Sequence, residues 1–169
     1  MKIIDDFLEQ NIFLRLQKIM MGAGFPWYYN PIIDSADDID KFQFVHLFYD
    51  NYIPTSDKIE ILSSILIKIE PISICRIKAN LLTRTSNIVE NEFHQDAGEH
   101  EKLSKQWTTA IFYMNTNNGY TEFEDGTKVE SVANRMVTFP ANMKHYGTSC
   151  TDEKIRVVIN FNYFGLGEF

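Results

Sequence analysis

Two histidines and a carboxylate pose the first chemical question. In "NEFHQDAGEH", residues 91–100, His94 and Asp96 stand two positions apart, and His145 follows in "PANMKHYGTS" after a proline-containing turn. On a strand, side chains two apart leave the same face, so His94 and Asp96 would project together while Gln95 points away. By itself such a pair is also what a hydrogen-bonded surface couple looks like. With His145 delivered from a distant strand, two imidazoles and one carboxylate form the facial set that binds non-haem iron(II) and leaves positions open. Zinc accepts the same three ligands. A rival set would use His94, Asp96 and His100, although His100 falls in the acidic, polar loop "DAGEHEKLSKQ", where a histidine is usually solvated.

A second group of residues suits an acid. Arg156 opens the last strand-like run, "IRVVINFNY"; inside a barrel an arginine is costly unless paired, so it predicts an anion held by a bidentate fork. On the outer face it would be an ordinary solvated cation. Tyr113, in "TTAIFYMNT", either offers its hydroxyl to the same anion or packs in the core. Asn80, Asn160 and Asn162 can hydrogen-bond a ligand from inside, and Asn160 is the best placed because even-numbered positions share the face of Arg156. His46 reads as a satisfied or surface histidine. The cluster "GFPWYYNP", with Trp27, Tyr28 and Tyr29, either forms a lip facing substrate or packs the first helix on the barrel.

The elements that must position these residues change character along the chain. Residues 3–21 space Ile4, Phe7, Leu8, Phe13, Leu16 and Met20 for one face of a helix, which "GAGFPWYYNP" ends. "FQFVHLFYD" reads as a strand. In "TSDKIEILSSILIKIEP", Asp57 followed by Glu60 resembles a capping box, and Pro71 closes a short helix. From residue 72 the period becomes two. "SICRIKANLLT", "IVENEFHQD", "WTTAIFYMNT", "YTEFE", "TKVESV", "RMVTF", "HYGTS" and "IRVVINFNYF" follow one another. About eight strands without crossover helices indicate an antiparallel sandwich or jelly roll. Residues 1–71 are expected as a helical and mixed support for a β core at 72–169, in one domain.

Composition bounds the rest. A chain of 169 residues, 44% hydrophobic and 23% charged, with a net charge of -7, is globular and long enough for a core. The absence of a basic stripe disfavours a nucleic-acid partner. Cys75 and Cys150 read as small buried hydrophobes rather than a disulfide. The acidic start "MKIIDDFLEQ" does not suit a signal peptide, and no run reaches membrane-spanning length, so a cytoplasmic setting is the expectation. No P-loop, GxGxxG or Ser/His/Asp order suggests another chemistry.

Taken in order, "FHQD", "TTAIFYMNT", "NNGYTEFEDG", "RMVTFPANMKHYGTS" and "IRVVINFNY" resemble the double-stranded β-helix core, jelly roll and cupin-like, of the iron(II) and 2-oxoglutarate-dependent dioxygenases. The likeness is strongest to the prolyl-hydroxylase-like branch and its small phage-type relatives, which would place the protein in a host cytoplasm. It covers about residues 73–164. It implies that His94, Asp96 and His145 bind iron(II), that Arg156 pairs with the far carboxylate of 2-oxoglutarate, and that Tyr113 contacts the same cosubstrate. Dioxygen, with ascorbate as an accessory, completes the expected cofactors. "GYTEF" resembles the family's Gly-Gly-x-Thr-x-Phe hairpin, with Asn118 in place of the first glycine, and the family's tyrosine ahead of the His-x-Asp is not evident in "ANLLTRTSNIVENEF". The implied activity is hydroxylation of a C–H bond in a peptide, protein or small molecule, with release of succinate and carbon dioxide. Alternatives are a demethylating oxygenase acting on nucleic acid or a side chain, and a cupin-like module that binds metal or ligand without turnover.

Overall fold

The period-two runs become the strands of two antiparallel sheets. In the computed structural model, which describes residues 1–33, 41–96 and 106–165, the larger sheet has eight strands. Its order is β1 (Lys2–Ile4), β9 (Arg135–Pro140), β6 (Thr108–Tyr113), β11 (Ile155–Phe164), β5 (Ser73–Thr83), β3 (Gln43–Asp50) and β2 (Tyr28–Asn30), with β4 (Ile53–Pro54) paired to β3. The smaller sheet is β10 (His145–Gly147), β7 (Tyr120–Phe123) and β8 (Lys128–Glu130). The two sheets together form the expected double-stranded β-helix.

Alternation along the central strands divides the interior. Val157, Ile159 and Phe161 of β11, Ile77, Ala79 and Leu81 of β5, and Ala110 and Phe112 of β6 belong to one apolar cluster. The helices pack there: α1 (Gln10–Met20) contributes Phe13, Leu16 and Met20 at helical spacing, and α2 (Ser63–Ile69) contributes Ile65. Phe112 meets Phe7 and Phe13 edge to face. The opposite faces point between the sheets, where Ile111, Tyr113 and Val158 join Phe123, Val129, Val137 and Phe139. Polar side chains on this inner face, among them Arg76, Asn80, Arg156 and Asn160, surround a cavity.

Several local expectations are corrected. Residues 3–21 are not one helix: Lys2–Ile4 is an edge strand on β9, and α1 starts only at Gln10. Asp6, with a φ of 49°, turns the chain between them. The cap at the second helical segment is Ser56, whose hydroxyl accepts from the Lys58 amide, so Asp57 is not the capping residue. That segment begins as a 3₁₀ helix, Asp57–Leu62, before α2, and Glu70 stops it in the left-handed region ahead of Pro71. The run "IVENEFHQD" is not a continuous strand; among the described residues its ladder pairing is limited to single bridges, Glu90 with Thr148 and His94 with His145. Both cysteines are free, Cys150 buried and Cys75 half-buried. Among the described residues no helix is long and apolar enough to cross a membrane.

Candidate active site

His145 begins β10 and His94 lies beside it, the two backbones exchanging N–H···O bonds of 3.0 and 3.1 Å. This pairing, rather than a strand running through His94, brings the imidazoles together with ring centroids 4.7 Å apart. The segment before His94 is pinned to the small sheet: the Asn91 amide donates to the Gly147 carbonyl, the Tyr120 hydroxyl to the Glu90 carboxylate, and Phe93 packs on Tyr146. Nδ1 of His94 lies 3.1 Å from the Glu92 carbonyl, and Nδ1 of His145 lies 3.1 Å from that of Met143. A carbonyl only accepts, so each Nδ1 carries a proton, which leaves Nε2 as the nitrogen that each ring can offer a metal. Phe123 and Phe139 back the His145 ring.

Asp96 completes the group. Its side chain is 3% exposed; Oδ1 accepts from Arg76 Nη2 at 3.0 Å, while Oδ2 lies 3.6 Å from His145 Nε2 and has no hydrogen-bond partner. One ligand atom from each of His94, Asp96 and His145 falls within 4.8 Å of the others. Burial pushes the Asp96 carboxyl up, but positive charge on His145, Arg76 and His94 in the metal-free site outweighs it and holds the carboxyl below the usual carboxylate range. Two imidazole nitrogens, which release any proton to bind a metal, and an ionised, partly unsatisfied carboxylate oxygen are a fitting donor set for a divalent cation.

The triad opens into a cavity of about 280 Å³. At its inner end stands Arg156, 3% exposed, with Nε donating to the Ser131 hydroxyl and Nη2 to the Tyr120 carbonyl and the Thr121 hydroxyl. All are neutral acceptors, and among the described residues no carboxylate pairs with this guanidinium. Burial lowers its pKa, with Tyr113 and Cys150 acting the other way. Gly119 and Gly147 make room for it: a Cβ on Gly119 would lie 2.7 Å from Arg156 Cδ, and one on Gly147 would lie 3.3 Å from Nη1. A buried cation with only neutral partners is the signature of an anion site.

Comparison with known proteins follows from this geometry. No family model matches the chain, and no curated protein matches it. Among solved structures it is similar to a prolyl hydroxylase from Trichoplax adhaerens, in complex with a hypoxia inducible factor peptide fragment, at 14% identity and a TM-score of 0.68, over 96% of this chain and 82% of that one. It is also similar to an oxidoreductase of the 2OG-Fe(II) oxygenase family from Burkholderia pseudomallei, at 11% identity and a TM-score of 0.67, over 95% and 84%. The viral collagen prolyl hydroxylase of Paramecium Bursaria Chlorella virus-1, as its 2OG complex, matches at 13% identity and a TM-score of 0.63, over 98% and 96%.

The fold is that of the prolyl hydroxylases.

On this prolyl-hydroxylase fold the remaining residues sort as follows. Asn160 faces the cavity, and its Oδ1 is buried with no donor; Asn80 Oδ1 is in the same state. Asn162 is used structurally, accepting from Arg76 Nε and donating to the Thr109 hydroxyl. Tyr113 is fully buried behind the wall: its hydroxyl donates to Thr121 at 2.9 Å, and Arg156 Cζ lies 5.8 Å from its ring centroid. Burial raises its phenol. His46 is a satisfied core histidine, between the Pro26 carbonyl and the Ser56 hydroxyl. His100 lies outside the described residues. The aromatic cluster divides, with Phe25 buried beside Trp27, whose indole donates to Met20, and Tyr28 and Tyr29 exposed on the edge strand β2. Sequence reasoning missed Arg76, Lys78 and Thr121, all on the cavity wall. The signal was present in "RIKAN", where polar residues at 76, 78 and 80 alternate with the apolar Ile77 and Ala79 and so share one inner face.

Proposed function

We propose that this chain is an iron(II)- and 2-oxoglutarate-dependent dioxygenase that hydroxylates a C–H bond of a peptide, protein or small molecule. The observation that supports it best is one cavity holding both the His94, Asp96 and His145 cluster and a buried Arg156 with only neutral partners. His94, Asp96 and His145 would hold the metal, and the Asp96 Oδ2 that lacks a donor fits that role. Arg156 would anchor the distal carboxylate of 2-oxoglutarate, with Thr121 beside it and Tyr113 fixing Thr121 from behind. When bound, iron(II) and 2-oxoglutarate supply the oxidation, one atom of dioxygen entering succinate as carbon dioxide leaves and the other entering the substrate as hydroxyl.

The protein groups bind, orient and exclude water. The Nδ1–H bonds to Glu92 and Met143 fix both imidazole planes. Arg76 holds Asp96 Oδ1 and so leaves Oδ2 for the metal. Ile111, Leu82 and Val158 keep the inner part of the cavity apolar, which strengthens the charge pairing at Arg156. No protein nucleophile or general base is required.

The test is oxygen-dependent conversion of 2-oxoglutarate to succinate by the iron-loaded protein, without substrate and then with peptides, amino acids and nucleosides. Wild type is expected to exceed His94→Ala by at least about tenfold. Equal succinate from the two proteins, together with no binding of iron(II) or 2-oxoglutarate, would refute the enzyme. A nucleoside as the productive substrate would establish the demethylating alternative, and binding without turnover the module that only holds metal and ligand.

A further inference from the structure

Arg156 and Arg76 stand at opposite ends of the cavity. In the β11–β5 pairing, Arg156 lies opposite Leu82 and Asn162 opposite Arg76, six residues further along, which is roughly 20 Å of strand at about 3.3 Å per residue. One short diacid cannot bridge the two backbone positions. If Arg156 takes the distal carboxylate of 2-oxoglutarate, Arg76 faces whatever lies on the far side of the metal cluster. Its Nε and Nη2 are used on Asn162 and Asp96, its side chain is 30% exposed, and among the described residues its Nη1 has no acceptor.

Charge leads to the same place. In the loaded site a divalent iron, the Asp96 carboxylate, the 2-oxoglutarate dianion and Arg156 balance one another, and Arg76 and Lys78 of the same wall are cations beyond that balance. On the same face, two positions along β11 from the Asn162 that Arg76 holds, Asn160 Oδ1 is a buried acceptor without a donor, unmet until a ligand or water satisfies it; Asn80, opposite Val158, lies nearer the Arg156 end. Apart from the two ligand histidines, no aromatic side chain of the described residues lines the cavity, so the wall offers an apolar ring no stacking surface.

We infer that the primary substrate is a small free acid carrying its own N–H or O–H donors, an amino acid by chemical class, with its carboxylate on Arg76 and a donor on Asn160. This rests on the oxygenase reading above. An internal residue of a peptide has no carboxylate to offer Arg76 from its backbone, and a purely apolar substrate would leave Arg76 Nη1 and Asn160 Oδ1 unmet.

The test uses the full chain at saturating iron(II) and 2-oxoglutarate, with each L-amino acid, its primary carboxamide and its N-acetyl, N-methylamide form, reading succinate and hydroxylated product. One acid is expected to stimulate turnover with a half-saturating concentration at least about tenfold below that of its carboxamide. In Arg76→Gln this acid-to-amide preference should collapse towards one, and Arg76→Lys should restore much of it. Loosening of Asp96 alone would slow acid and amide equally and leave the ratio intact. A protein that binds and turns over 2-oxoglutarate but prefers no acid, responds best to the capped form, or keeps its preference in Arg76→Gln overturns the inference while sparing the oxygenase. Failure to bind iron(II) and 2-oxoglutarate at all overturns both.

Discussion

Replacing Arg156 by alanine tests the proposed cosubstrate site most directly. The guanidinium is buried, its visible partners are Ser131, Thr121 and a backbone carbonyl, and Nη1 points past Gly147 without an acceptor among the described residues. A carboxylate docked there would gain two charge-assisted hydrogen bonds of about 1.5–3 kcal/mol each. Water entering the vacated space would restore part of that to the carboxylate, so a loss of about 3 kcal/mol is expected, or roughly 10²-fold in affinity at about 1.4 kcal/mol per decade. The assay is thermal unfolding with and without 2-oxoglutarate in the presence of a divalent metal. At a hundred times its dissociation constant, the ligand should stabilise wild type by about 2.7 kcal/mol, or about 5–11 °C for a chain of this size. At the same concentration Arg156→Ala, bound a hundredfold more weakly, should gain only about 0.4 kcal/mol, or about 1 °C. Metal affinity should hold within about twofold, because Arg156 contacts none of His94, Asp96 and His145. An undiminished 2-oxoglutarate shift in the variant would refute the assignment; loss of metal binding along with it would show that Arg156 supports the fold of the site instead.

Three further outcomes are expected. Gly147→Ala sets a methyl group 3.3 Å from Arg156 Nη1, where the proposed carboxylate fork would close, and should weaken 2-oxoglutarate binding roughly tenfold in calorimetry with little change in metal affinity. In Arg76→Met the Asp96 carboxyl loses one of the groups that hold it below its ordinary value. A carboxylate held low gives stability that is present above its unfolded pKa and lost as pH falls through the folded one, so acid unfolding followed by tryptophan fluorescence should begin at a higher pH than in wild type. Phe112→Ala removes the ring that joins Phe7 and Phe13 to the central strand β6 and should cost about 3–5 kcal/mol, read as a fall of about 6–20 °C in Tm.

What was legible in the sequence tracks how strongly each segment is buried. "SICRIKANLLT" and "IRVVINFNYF" became strands with those very limits, because central strands bury one apolar face against helices and one mixed face around the cavity, and a slip of one residue would exchange them. Edge strands carry no such constraint. Lys2–Ile4, Tyr28–Asn30 and Ile53–Pro54 each pair on one side only and are largely exposed, so their composition says little about β structure. Ile4 suited a helical face equally well, and only its pairing with Met136 of β9 decides the matter.

The site divides along another line. The convergence of His94 and Asp96 was expected from strand alternation, yet no strand runs through them; two backbone hydrogen bonds to His145 and an ion pair from Arg76 do the work instead. Both routes lead to one cluster because a His-x-Asp spacing is short enough for any extended backbone to aim both side chains near a partner that holds the histidine. The sequence therefore exposed the chemistry of the cluster while concealing what enforces it. Arg76 is the clearest case: in "CRIKAN" it looks like any strand cation, and its meaning depends on Asp96, 20 residues away, and on Asn162, 86 residues away. Such long-range partners leave no local period to read. What remains readable is that a strand flanked on both sides places Arg76, Lys78 and Asn80 on one face, and a polar face turned between two sheets needs partners there.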